Sequence, residues 1–272
     1  MGVIAPPMGI LTGWAIPMAG PFQRADHTYV TSDAGHVWPC WGRGAGGSSV
    51  CGGSGDLSVA DCLSQPNSQA GIRYGLTGVC HQTANRILAP ATIEVANAGG
   101  ARQSYALYGV FGIGSWPELQ RCASGLPGMK PLQPKSGLLS KLLAAWNRLT
   151  RADQVFTLQE LEATQRRAEL LAMFDHYLGE DYDPEKRERV VQVYLAFQGE
   201  QRSLVGALDR HRLSPEQYLA AFSALEGRTF QASRMILGDG DFERLFGSET
   251  PVATLIDPDV FLQQHGRTSG AY

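Results

Sequence analysis

The feature that most constrains this chain is a change of pattern near its middle. Up to about residue 116 it is rich in glycine and short apolar runs, and beyond residue 137 it is a string of amphipathic helical periods. Between them, Leu126-Pro127-Gly128-Met129-Lys130-Pro131-Leu132-Gln133-Pro134-Lys135-Ser136-Gly137 holds three prolines and two glycines, the composition of a semi-rigid spacer. A length of 272 residues suffices for two domains of ordinary size. The expected organisation is an N-terminal domain over 1–125, a linker over 126–137 and a helical domain over 138–272.

In the first half, His27-Thr28-Tyr29-Val30 and His36-Val37-Trp38 are β-prone runs on either side of Ser32-Asp33-Ala34-Gly35. Glycine stands there where a tight turn needs a positive φ, and the pattern predicts an antiparallel hairpin. Leu57 to Leu63, after Asp56, reads as a short helix. Further on, Val79, Ala84, Ile87 and Leu88 recur at helical spacing until Pro90 stops the run, which sets Cys80 at a helix start. Thr92 to Ala96 and Ser104 to Phe111 read as two more strands around Asn97-Ala98-Gly99-Gly100. Gly42 to Gly55 reads as a long glycine-rich loop suited to a mobile lid, and its glycines fit no phosphate-binding signature. The expected fold class is α+β: a small antiparallel sheet packed on the Cys-bearing helix, followed by an all-α domain.

The second half predicts a helix over Leu138 to Leu149. The capping box Thr157-Leu158-Gln159-Glu160 opens another, running to about Leu178. Asp183-Pro184 starts a third, through Leu195 towards Leu208, and Ser214-Pro215-Glu216-Gln217 a fourth, ending near Leu237 before Gly238. A short turn over Asp241 to Phe246 and an irregular tail finish the chain.

Charge removes some functions. With a net charge of −3 there is no basic excess for nucleic acid or an anionic membrane surface. The first 23 residues are apolar and uncharged, but Pro6, Pro7, Pro17 and Pro21 break any spanning helix and no basic stretch precedes them. Neither a cleavable signal nor a transmembrane segment is expected; the location is cytoplasmic, or secreted without a cleavable signal. The five cysteines Cys40, Cys51, Cys62, Cys80 and Cys122 are an odd number, so at least one thiol is free. A Cys51 to Cys62 disulfide stays open for an oxidising compartment. His27, His36, Cys40 and His81 show no zinc spacing, and no metal or cofactor is expected.

A thiol attacks as thiolate, and its pKa falls at a helix N-terminus and beside an imidazolium. Cys80 has the first by position. His27, at the start of a strand packed on that helix, is the candidate base. The N–H groups of Cys80 and His81 are candidate oxyanion donors, with the Gln82 or Gln69 side-chain amide as a further donor. Trp38, Trp41 and Tyr74 are candidates to line a substrate groove. Asp175-His176 and Asp209-Arg210-His211 sit among solvated charges on amphipathic helices and read as structural.

His27-Thr28-Tyr29-Val30-Thr31-Ser32-Asp33-Ala34-Gly35 followed by Gly78-Val79-Cys80 resembles the circularly permuted papain-like thiol enzymes, the superfamily of NlpC/P60 hydrolases and lecithin retinol acyltransferase-like enzymes. The resemblance covers roughly residues 20 to 112. It implies an amidase or peptidase acting on a peptide, an isopeptide or peptidoglycan, a delivered bacterial toxin being one version. The same site suits acyl transfer from a lipid or thioester. It also implies a third polar residue on the second strand. That position falls at Pro39 or Cys40 here, with His36 the candidate if the register slips by one residue. The departure favours a rival reading, a non-catalytic binding protein whose helical half docks a protein partner.

Overall fold

The computed structural model describes residues 7–18, 25–64, 69–113 and 158–266, together with Leu138 and Lys141. The chain is α+β. Its sheet has four antiparallel strands in the order β3-β2-β1-β4: β1 (Met8–Ile16), β2 (His27–Ser32), β3 (Val37–Trp38) and β4 (Ser48–Asp56). The hairpin expected around Ser32 to Gly35 is present. Ser32 N–H donates to the His36 carbonyl at 3.0 Å, and Gly35 takes φ +86°.

Two strands were not expected. The proline-interrupted start contains β1, where small residues alternate inward with Leu11 along a period of two. The stretch expected to be a lid becomes β4 from Ser48 onward. Its glycines let the strand lie against the backbone of Pro90 and Ala91, so this part is pinned to the sheet.

Asp56 accepts the Ser58 N–H at 2.8 Å and starts α1 (Leu57–Ser64). Next comes α2 (Cys80–Leu88), prolonged by a 3₁₀ turn over Ala89–Ala91, and it packs against β2. The strands expected at Thr92 to Ala96 and Ser104 to Phe111 are not formed. The first segment is irregular and the second is occupied by α3 (Ala101–Tyr108). Nearly every α3 side chain is buried, so it carries no amphipathic stripe, and its aromatic residues imitate strand composition.

The helical half contains α4 (Leu158–Tyr177), α5 (Pro184–Asp209), α6 (Pro215–Leu237), α7 (Asp239–Phe246) and α8 (Pro258–His265). Asp183 caps α5 through the Glu185 and Lys186 N–H groups, and Ser214 and Gln217 form the capping box of α6. α7 replaces the expected turn and α8 lies in the expected irregular tail. Leu138 and Lys141 are helical. The rest of the 138–149 helix, the 126–137 linker, Thr157 and Cys122 lie outside the described residues.

One continuous apolar core joins the halves. The Tyr108 and Tyr218 hydroxyls both donate to the Gly75 carbonyl, at 3.0 and 2.9 Å, and the Gln201 amide donates to the Leu76 carbonyl at 3.1 Å. The helical half is therefore built onto the segment leading into α2. Cys40, Cys51, Cys62 and Cys80 are all free, so the Cys51 to Cys62 disulfide is not formed. Among the described residues, no helix is long and apolar enough to cross a membrane.

Candidate active site

Val79 is extended, with φ −128° and ψ −166°, and the chain turns helical at Cys80. Gln82 folds back so that its Oε1 accepts the Val79 N–H at 3.0 Å, while its Nε2 donates to Ser104 Oγ at 3.0 Å and the Gly109 carbonyl at 2.9 Å. This half of a capping box holds the helix start in place. It also uses the whole amide inside the core, so Gln82 is no oxyanion donor. Gln69 lies outside the cavity beside Cys80, with its Oε1 buried and unpartnered.

That cavity, of about 170 Å³, is where the candidate residues meet. Cys80 is only 7% exposed at its edge. Asp26 and His27 line it from the start of β2, Trp41 and Tyr74 from loops of the same half, and Leu255 to Asp257 from the C-terminal segment. His27 and Cys80 thus share one cavity. No hydrogen bond joins them among the described residues; the thiol instead points at the Asp26 carbonyl, with the sulfur 3.7 Å from the oxygen.

The His27 ring lies under the 39–43 loop, with Nε2 2.9 Å from the Arg43 carbonyl. A carbonyl only accepts, so Nε2 carries the proton and the neutral tautomer presents Nδ1 as its basic nitrogen. Burial lowers the pKa of the ring below 6.5, opposed by the Arg43 and Pro39 carbonyls and the Asp257 charge. At neutral pH the imidazole is in its base form.

The loop that clamps the ring is strained. Cys40 and Trp41 are consecutive non-glycine residues at φ +50° and +79°, a conformation costing roughly 1–2 kcal/mol per residue. It is held by the Trp41 indole, which donates to Thr83 Oγ1 at 3.1 Å on the turn of α2 after Cys80, and by the Cys40 thiol, which donates to the Trp38 carbonyl. Pro39 or Cys40 falls where the resemblance implies a third polar residue; the group that meets the His27 ring from that loop is the Arg43 backbone carbonyl. His36 does not substitute for it. Its Nδ1 is 3.6 Å from Asp61 and its ring meets Trp38 edge-on, both away from the cavity, so Trp38 is not a groove residue.

His81 is fully buried. Its Nδ1 is 3.0 Å from Ser104 Oγ, and its Nε2 donates to the Asp26 carbonyl at 3.0 Å. Burial pushes its pKa down to about 3, so the ring is neutral. It ties α2 to the residue preceding His27; only its backbone N–H can serve an oxyanion.

The lowering of the Cys80 pKa expected from its place at a helix start is outweighed. Burial raises its pKa above the usual thiol value, although the backbone N–H groups of Thr28, His81 and Cys80 and the Thr28 hydroxyl all favour the thiolate. Thr28 went unnoticed in the sequence because a strand threonine is ordinary. Its hydroxyl is buried without a hydrogen-bond partner at rest, beside the sulfur.

Among the described residues no three of His, Cys, Asp or Glu converge as metal ligands. Comparison with protein-family models, with curated proteins and with solved structures returned no match.

Proposed function

We propose that this chain is a thiol hydrolase of the permuted papain-like type, cleaving an amide through an acyl-enzyme on Cys80. One observation carries the reading. Cys80 at the start of α2 shares a cavity with a His27 whose Nε2–H is held by the Arg43 carbonyl, which leaves Nδ1 to accept a proton. The thiol is protonated at rest, so proton transfer to His27 accompanies attack on the carbonyl carbon. The Cys80 and His81 N–H groups face the developing oxyanion. His27 then returns the proton to the leaving amine, and water releases the acyl group. Peptides, isopeptides and peptidoglycan cross-links are the proposed substrates. An acceptor other than water would turn the same site into an acyltransferase.

The missing Cys80–His27 hydrogen bond and the raised thiol pKa favour a second reading, a catalytically silent binding protein. Intact mass after brief iodoacetamide treatment near neutral pH separates the two. The enzyme reading expects one fast alkylation, lost in Cys80→Ala and slowed in His27→Ala. If Cys80 labels no faster than the half-exposed Cys62, the binding reading takes its place.

A further inference from the structure

The cavity beside Cys80 is lined in part by the half of the chain that supplies no reacting group. Ile16 and Met18 form one side, Trp41 the next, and Leu255, Ile256 and Val260 the side contributed by the C-terminal segment. Tyr74 holds that segment in place. Its hydroxyl accepts the Asp257 N–H at 3.0 Å, and its carbonyl lies 3.0 Å from His265 Nε2 at the far end of α8. The wall is a fixed part of the site.

Size and polarity restrict what the wall can receive. A volume of about 170 Å³ is close to the roughly 150 Å³ apolar cavity known to hold one benzene molecule. The two carboxylates in the lining are already engaged: Asp26 Oδ2 accepts the Gly99 N–H at 2.7 Å, and Asp257 Oδ1 accepts the Asp259 and Val260 N–H groups. The lining cation, Arg43, belongs to an exposed residue at the rim. An anionic acyl group would meet these carboxylates without a buried counter-charge. A cationic one would meet only carboxylates already tied to backbone N–H groups, and would lose its hydration against apolar walls.

We propose that the site takes a small neutral acyl group, an aromatic ring or an aliphatic chain of about six carbons, seated against Leu255, Ile256 and Val260. This rests on the reading of Cys80 as nucleophile. In the step itself the Cys80 sulfur bonds to the acyl carbon and the bond from that carbon to the leaving amine or alkoxide breaks. The thiol proton passes through His27 to the leaving group.

The full chain is treated with p-nitrophenyl acetate, butyrate, hexanoate, phenylacetate, decanoate, succinate and 6-aminohexanoate. Nitrophenolate release and the mass of acyl-Cys80 are read against Cys80→Ala. The rate of Cys80 acylation is expected to rise about fourfold per added methylene up to hexanoate, then level off, with phenylacetate fast and both charged chains slow. Val260→Trp fills the cavity, and Val260→Asp places a charge in it at a first-turn position of α8 that tolerates an acid. Both are expected to lower the ratio of hexanoate to acetate acylation of Cys80 at least tenfold. Equal rates for all chains, a preference for a charged chain, or unchanged hexanoate selectivity in both variants overturns the acyl assignment and leaves the nucleophile standing. Loss of selective iodoacetamide labelling in the unsubstituted chain overturns the nucleophile itself.

Discussion

Gly42 is where the 39–43 loop crosses the His27 ring. A Cβ at that position would stand 2.4 Å from Cε1, 2.5 Å from Nε2 and 2.8 Å from Nδ1 of the imidazole, whereas carbon contacts settle at about 3.5–4.0 Å. Gly42 is not among the positive-φ residues, so its backbone accepts alanine and the steric overlap alone decides the outcome. Relieving that overlap moves the ring or the loop by about 1 Å, the difference between those two distances. The Arg43 carbonyl that fixes the Nε2 proton lies on the same loop, one residue on, at 2.9 Å. A shift of that size takes the contact beyond hydrogen-bonding range and releases both the tautomer and the orientation of Nδ1.

Misplacing a catalytic group by about 1 Å costs on the order of 100-fold in rate, and overpacking a well-filled site costs about 1–3 kcal/mol of stability. Gly42→Ala is therefore expected to alkylate Cys80 about 100-fold more slowly than the unsubstituted chain, with a fall in melting temperature of only a few degrees. Gly44→Ala is the matched control, because its Cβ would meet a Val37 methyl at 2.6 Å instead of the His27 ring. The assay is timed iodoacetamide labelling read by intact mass, beside thermal unfolding. Wild-type labelling in Gly42→Ala refutes the clamp. Equal slowing in both variants refutes it too, since the loop as a whole would then be responsible.

Thr28→Val is expected to act with opposite signs on stability and reactivity. Removing a buried hydroxyl that has no partner stabilises the fold by about 1 kcal/mol, while the thiolate loses a donor and labelling slows about tenfold; a variant that is slower and also less stable argues against this. Glu226 supplies a pH test. It is 2% exposed, neither carboxyl oxygen has a hydrogen-bond partner, and burial pushes its pKa from 4.5 up to about 8, against a weaker pull from the Leu255 N–H. A carboxyl raised in the folded state contributes stability that is complete below pH 4.5 and lost as pH rises through about 8. Denaturation at a series of pH values is expected to show Glu226→Gln losing about 1.4 kcal/mol less per pH unit than the unsubstituted chain across that window; parallel curves refute it.

What was legible in the sequence followed from local rules. Asp183 and Ser214 announced their helices because an N-cap and the proline after it are adjacent in the chain. The positions of Cys80 and His27 were legible for a similar reason: each stands at the first residue of an element whose pattern is readable. α3 was misread because burial on every side erases the periodicity that distinguishes helix from strand. β4 was misread because Gly52, Gly53 and Gly55 signal loop in isolation, whereas here Gly53 and Gly55 allow close approach to the backbone of Pro90 and Ala91. No polar side chain for orienting His27 was legible where Pro39 or Cys40 falls, and His36 was the remaining candidate. The group that meets the ring is the Arg43 carbonyl, and a carbonyl leaves no mark on residue identity.

The cavity wall was hidden by another property of chains. Asp257-Pro258-Asp259 has the same cap-and-proline grammar as Asp183-Pro184, but it opens only the eight residues of α8, too few to show a stripe. Its place beside Cys80 is decided by Tyr74, which meets Asp257 and His265 across 183 and 191 residues of sequence. A base and a nucleophile can be recognised by residue type at element starts. A specificity wall is recognisable only as a shape, and shape depends on contacts between residues that no local pattern connects. On the proposed reading, the Cys80 and His27 pair is written locally in this sequence, and the choice of acyl group falls to a wall built by Leu255, Ile256 and Val260.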